Sequence, residues 1–148
     1  MKTISLPFGK KSVRIKLPDK LNYIVLKSRP IKPIKDISTA LNRALDKPIG
    51  TRPFNKLFNR NDRVALVFPD KTRRCGADKI LKVVVSRLLK LSIPYRQMTV
   101  ILARGIHPAH TDAEIRRLVG DMVYRNIKVV DHDARNPRDL VNIGTTSH

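Results

Sequence analysis

From Val64 onward the chain alternates apolar runs of strand length with longer stretches of helical period, and this alternation limits the fold more than any other feature. "RVALVF" (63–68), "MTVILA" (98–103) and "IKVVD" (127–131) are short, continuous apolar runs of the kind buried in parallel sheets. Between the first two, Ile80, Leu81, Val84, Leu88 and Leu91 fall on one helical face over about 77–91, with Lys79, Lys82, Arg87 and Lys90 on the other. Pro94 stops that helix. Between the second and third, Thr111 and Glu114 have capping-box spacing ahead of Ile115, Leu118 and Val119, and Gly120 suits the residue just past the helix end. Strand, helix, strand, helix, strand predicts an α/β fold: a Rossmann-like, mostly parallel sheet covered by helices.

The segment before Val64 reads differently. "KTISLPFGKKSVRIKLP" gives two short β-runs about a turn at Gly9-Lys10-Lys11, and "NYIVLKS" (22–28) is a third candidate strand, making a short β-rich amino-terminal segment. Pro30 and Pro33 mark a loop. Ile37, Ala40, Leu41, Ala44 and Leu45 then form a helical stripe with Asp36 placed to cap it, closed by Pro48 and Gly50. With 148 residues, 41% of them apolar, the expectation is one compact domain over 1–148.

Two of the predicted strands end abruptly in chemistry. "VALVFPDKTRRC" leaves its apolar run for Asp70, Lys71, Thr72, Arg73 and Arg74, and "MTVILARGIHPAHTDAE" leaves its own for Arg104, Gly105, His107 and His110. In open α/β sheets ligands bind at the carboxyl ends of the strands, so neighbouring exits would share one crevice. Arg73 has the planar fork that suits a carboxylate or phosphate, and His107 suits proton transfer near neutral pH. Plainer readings stand beside these. Asp70 could be a turn residue, Arg73 and Arg74 solvated, and His110 structural or exposed. His107 and His110 have a spacing that could serve a metal, but Pro108 between them argues for a loop and against a pair of ligands. Asp131-His132-Asp133 could meet a ligand or form an Asx turn. Cys75 reads as a packing residue rather than a nucleophile.

Charge and composition bound the partners. Thirty-one Lys and Arg against twelve Asp and Glu leave +19, which attracts polyanions, nucleic acid among them. The basic residues form no block of five or six, and only three Tyr and four Phe are available for base stacking. A non-catalytic basic module contacting nucleic acid or an acidic partner is therefore the alternative to an enzyme. One cysteine excludes an intramolecular disulfide, and no apolar stretch of membrane-spanning length or leader pattern is found, so a cytoplasmic protein is expected.

Five segments, in order, resemble the amino-terminal domain of the nickel-dependent lactate racemase family: "LPFGKKSVRIKLPD", "DKPIGTRPFNKLF", "PDKTR", "ILARGIHPAHTDAE" and "VVDHDARNPRDLVNIGTTS". The resemblance implies an isomerase of 2-hydroxy acids that works with a nickel-pincer nucleotide. It implies Arg73 as the clamp for the substrate carboxylate, with Asp70 and Thr72 as substrate- or cofactor-binding residues and Gly105 as cofactor-binding. It implies His107 as one of two histidines exchanging the substrate hydroxyl proton while hydride passes to and from the cofactor. Pro108 and Arg74 depart from the family pattern, which bears on the substrate. The family's second catalytic histidine, cofactor-anchoring lysine and nickel-binding histidine match nothing here, His148 included. The resemblance thus predicts half a site, inactive and without bound cofactor on its own, completed by a carboxyl-terminal domain or partner chain.

Overall fold

A computed structural model describes residues 2–20, 22–73 and 75–147. Arg74 and His148 lie outside the described residues. Two compact units divide the chain, residues 1–33 and 34–148.

In the first unit β1 (Lys2–Phe8) and β2 (Lys11–Leu17) form an antiparallel hairpin, with Phe8 opposite Lys11 and Lys2 opposite Leu17. Gly9 makes the turn at φ +58°, a conformation that strains residues with a side chain. The third candidate strand is not formed: residues 22–28 carry no strand, and Ile24 and Leu26 are almost fully exposed. An apolar composition makes a strand only where a neighbour completes its hydrogen-bond ladder, and β1 and β2 pair with each other.

The second unit begins with α1 (Ile37–Asp46), whose first turn is capped by Asp36 accepting from the Thr39 amide and hydroxyl. The predicted alternation follows: β3 (Val64–Pro69), α2 (Ala77–Lys90), β4 (Met98–Ala103), α3 (Asp112–Val119), α4 (Asp121–Asn126) and β5 (Lys128–Asp131). The strands form a parallel sheet in the order β3-β4-β5, with Val67, Ile101 and Val130 in one row. α3 has its capping box, Thr111 and Glu114 each accepting from the other's backbone amide.

Leu81, Val85 and Leu88 of α2 pack with Met98, Val100 and Leu102 of β4 and with Val119 and Val123 of α3 and α4 in one core. Phe54, from the "DKPIGTRPFNKLF" segment, joins it and stacks at a tilt on Phe58, ring centres 4.9 Å apart. The strands are not buried on both faces as their continuous apolar runs predicted. Val67 is 62% exposed, Ala65 is exposed and Ile101 only half-buried, because these helices pack on the face that carries Met98, Val100 and Leu102. The apolar run marks a strand, but which face is covered depends on where the helices fall.

Candidate active site

β3 and β4 are adjacent and parallel, with Pro69 paired to Ala103, so their carboxyl ends open side by side. The chain leaves β3 in a tight turn. Asp70, buried at 3% exposure, accepts from the Thr72 amide at 3.1 Å and the Thr72 hydroxyl at 2.6 Å through Oδ1, while its carbonyl accepts from the Arg73 amide. The plain reading of Asp70 as a turn residue is therefore correct. Its other oxygen, Oδ2, is free of that turn and lies 2.5 Å from Nδ1 of His107. The Thr72 hydroxyl first, and the His107 imidazole second, hold the Asp70 carboxyl down to about 2. An ionised carboxylate only accepts, so Nδ1 of His107 carries the hydrogen and Nε2 is left as the ring's acceptor. The His107 side chain is half exposed, and no partner for Nε2 is found among the described residues. A carboxylate, a fixed imidazole and an open ring nitrogen make an arrangement suited to moving one proton.

The loop after β4 is held by its own first residue. Gly105 turns the chain at φ +62°, its carbonyl accepts from the Ala134 amide, and an added side chain there would meet nothing within 4 Å. The positive φ, rather than lack of room, is what favours glycine. The Arg104 carbonyl accepts from the His107 amide at 3.3 Å, and its guanidinium donates back to the His107 carbonyl at 2.6 Å. That guanidinium is 10% exposed and pairs with Asp133 at 3.0 Å and Asp131 at 3.4 Å. Arg104 is thus a buried strut for the His107 loop. It is not a free cation at the crevice, because two carboxylates at the end of β5 neutralise it.

His110 is structural, one of the two alternatives its position left open. Its side chain is fully buried, Nδ1 lies 2.7 Å from Asp131 Oδ1, and Nε2 accepts from the Lys71 amide at 3.1 Å. The His110 amide donates to the other oxygen of Asp131. One imidazole so joins the exits of β3 and β4 to the end of β5. With both ring nitrogens engaged, His110 cannot join His107 on a metal, and among the described residues no group of three or more His, Cys, Asp and Glu could hold a metal ion.

Around this pair the other candidates take their places. Lys71 is paired with Glu114 at 2.7 Å, which with the Thr111 amide holds the Glu114 carboxyl down to about 2. The Arg73 guanidinium is exposed and has no partner among the described residues, so it is an available cation at the β3 exit. Asp133 forms the Asx turn, accepting from the Arg135 amide at 2.9 Å, and that bond first, then Arg104, lowers its carboxyl below the usual range. Cys75 is exposed, contrary to its reading as a packing residue, because it precedes the first buried residue of α2. The site is an open sheet edge, and a cleft of about 480 Å³ lies elsewhere in the second unit, between α1 and α2. No helix among the described residues is long and apolar enough to cross a membrane.

Comparison with known proteins agrees with the motifs. Residues 8–148 match the family model of the lactate racemase N-terminal domain. The lactate racemase of Thermoanaerobacterium thermosaccharolyticum is 26% identical over 98% of this chain, and that of Lactiplantibacillus plantarum 23% over 97%. The solved structure of the lactate racemase apoprotein from T. thermosaccharolyticum superimposes with a TM-score of 0.80 at 26% identity, covering 99% of this chain. In each case the match spans 34% of the relative, so the chain corresponds to about a third of their length.

Proposed function

Because the chain belongs to the lactate racemase N-terminal domain family, we propose that it is the substrate-side domain of a lactate-type racemase or epimerase of 2-hydroxy acids. The observation that carries this reading is the bond from buried Asp70 to Nδ1 of His107, which fixes the ring while leaving Nε2 open. In this reading the Arg73 fork binds the substrate carboxylate, since two parallel N–H groups match its two oxygens. Nε2 of His107 takes the hydroxyl proton and returns it, the positive ring being offset by the Asp70 carboxylate 2.5 Å away. Thr72 holds Asp70 in place through its hydroxyl, and Gly105 gives the His107 loop its bend. Hydride acceptance, the chemistry of the nickel-pincer nucleotide implied by the resemblance, is assigned to parts outside these residues, in a carboxyl-terminal domain or partner chain.

NMR titration of the chain with lactate tests the proposal. Saturable shifts at Arg73 and at the His107 ring are expected, beyond those given by chloride at equal ionic strength. Arg73→Lys, which keeps charge but loses the fork, should weaken lactate by about tenfold or about 1.4 kcal/mol. An unchanged affinity in that variant would remove Arg73 from its role.

A further inference from the structure

The cleft between α1 and α2 is remote in purpose from the sheet edge, and its lining is unusual. It holds about 480 Å³, within the range of small-ligand sites, and is lined by Lys35 ahead of α1 and by Lys79, Lys82 and Lys90 of α2, with Ile37 and Val83 as apolar wall. Lys79, Lys82 and Lys90 are spread along roughly 16 Å of helix at about 1.5 Å per residue. None of the four lysines has an acidic partner among the described residues. The lining contains one arginine, Arg87, and it is taken by Asp46 and lies over the Phe54 ring. It contains one carboxylate, Asp36, and that is spent on capping Thr39. Four unpaired ammonium groups around one small cleft repel one another, and an occupant carrying several negative charges relieves that.

We propose that this cleft binds a small ligand bearing a chain of linked phosphates, such as a nucleoside polyphosphate or inorganic oligophosphate. Lysines are point charges that suit phosphate oxygens from many directions, and four of them along one cleft match a ligand carrying several negative charges better than a single carboxylate. Among the described residues no aromatic side chain lines it, so they offer no stacking platform of the kind a single-stranded nucleic-acid site uses. Ser38 and Asn42 add polar groups at the α1 side, though the Asn42 amide already donates to the Ser38 carbonyl.

The test is titration of the purified chain with tripolyphosphate, orthophosphate, polyglutamate and a short single-stranded RNA, followed by amide NMR at two potassium chloride concentrations. Tripolyphosphate should shift residues 35–42 and 79–90 saturably and bind at least about tenfold more tightly than orthophosphate. The double variant Lys79→Gln, Lys82→Gln should weaken it by about tenfold or more. Arg125→Gln with Lys128→Gln, exposed charges outside the cleft, should change it less than about twofold. Equal losses for the two pairs would mean diffuse attraction and overturn the proposal. So would RNA or polyglutamate binding the same residues as tightly as tripolyphosphate, which would make the cleft a macromolecular contact.

Discussion

Oδ2 of Asp70 lies 2.5 Å from Nδ1 of His107, and the two residues reach each other from adjacent parallel strands. The bond ties the two loops of the sheet edge together and sets which ring nitrogen faces outward. Thr72 and Arg104 stand behind it on either side, one holding the carboxylate and the other the loop that carries the imidazole.

Asp70→Asn should keep the turn, because an amide oxygen can still accept from Thr72, but lose the charged acceptor for His107. With the amide oxygen kept on Thr72, the NH2 group faces Nδ1 and donates to it, so nitrogen NMR of the ring should show the hydrogen moved to Nε2, where the native bond calls for Nδ1–H. Lactate binding should weaken in parallel. A ring that stays in the native tautomer would show that Asp70 is not what fixes it.

Acid should lower stability through two carboxylates in particular. Asp70 and Glu114 have ordinary values of 3.8 and 4.5 and are held at about 2 in the fold. A lowered folded value means stability that is present above the unfolded value and lost as pH falls towards the folded one. The thermal midpoint should therefore fall between about pH 4.5 and 2. Asp70→Asn with Glu114→Gln should flatten that decline while lowering the midpoint at pH 6, and an equally steep decline in the variant would place the acid sensitivity elsewhere.

The three strands of the sheet were legible because each is an apolar run bounded by charge, and α3 because Thr111 and Glu114 write their own cap. What failed was whatever depends on a distant partner. Residues 22–28 look like a strand but find no neighbouring strand, and Val67 looks buried but lies on the open face. α4 went unread because Gly120 hides the step from Val119 to Val123 that continues the core. In the site, Asp70 and His107 were legible as strand exits. The occupation of Arg104 and His110 was not, because it comes from Asp131 and Asp133, over twenty residues away and in reach only once β5 lies beside β4.

His110→Ala should cost about 2–4 kcal/mol in denaturant unfolding. It removes a buried ring and leaves Asp131 and the Lys71 amide each short of a partner, at about 1–3 kcal/mol for a buried unsatisfied group. His110→Asn should recover part of the loss by restoring one hydrogen bond. A change below about 0.5 kcal/mol, the range of ordinary surface substitutions, would show that the three loop ends are held by other contacts.

Arg104→Lys tests whether the strut positions His107 or merely stabilises the sheet. Lysine keeps a positive charge beside Asp131 and Asp133, so much of the ion pairing survives. It cannot donate at once to those carboxylates and to the His107 carbonyl with the fixed fork of a guanidinium. The loop from Gly105 to His107 should loosen, with faster amide hydrogen exchange at His107, whose amide is bonded to the Arg104 carbonyl. Lactate affinity should fall with it while the unfolding midpoint moves little. A fall in stability with exchange at His107 unchanged would make Arg104 a support of the sheet alone and leave the His107 loop to Gly105 and the Ala134 amide.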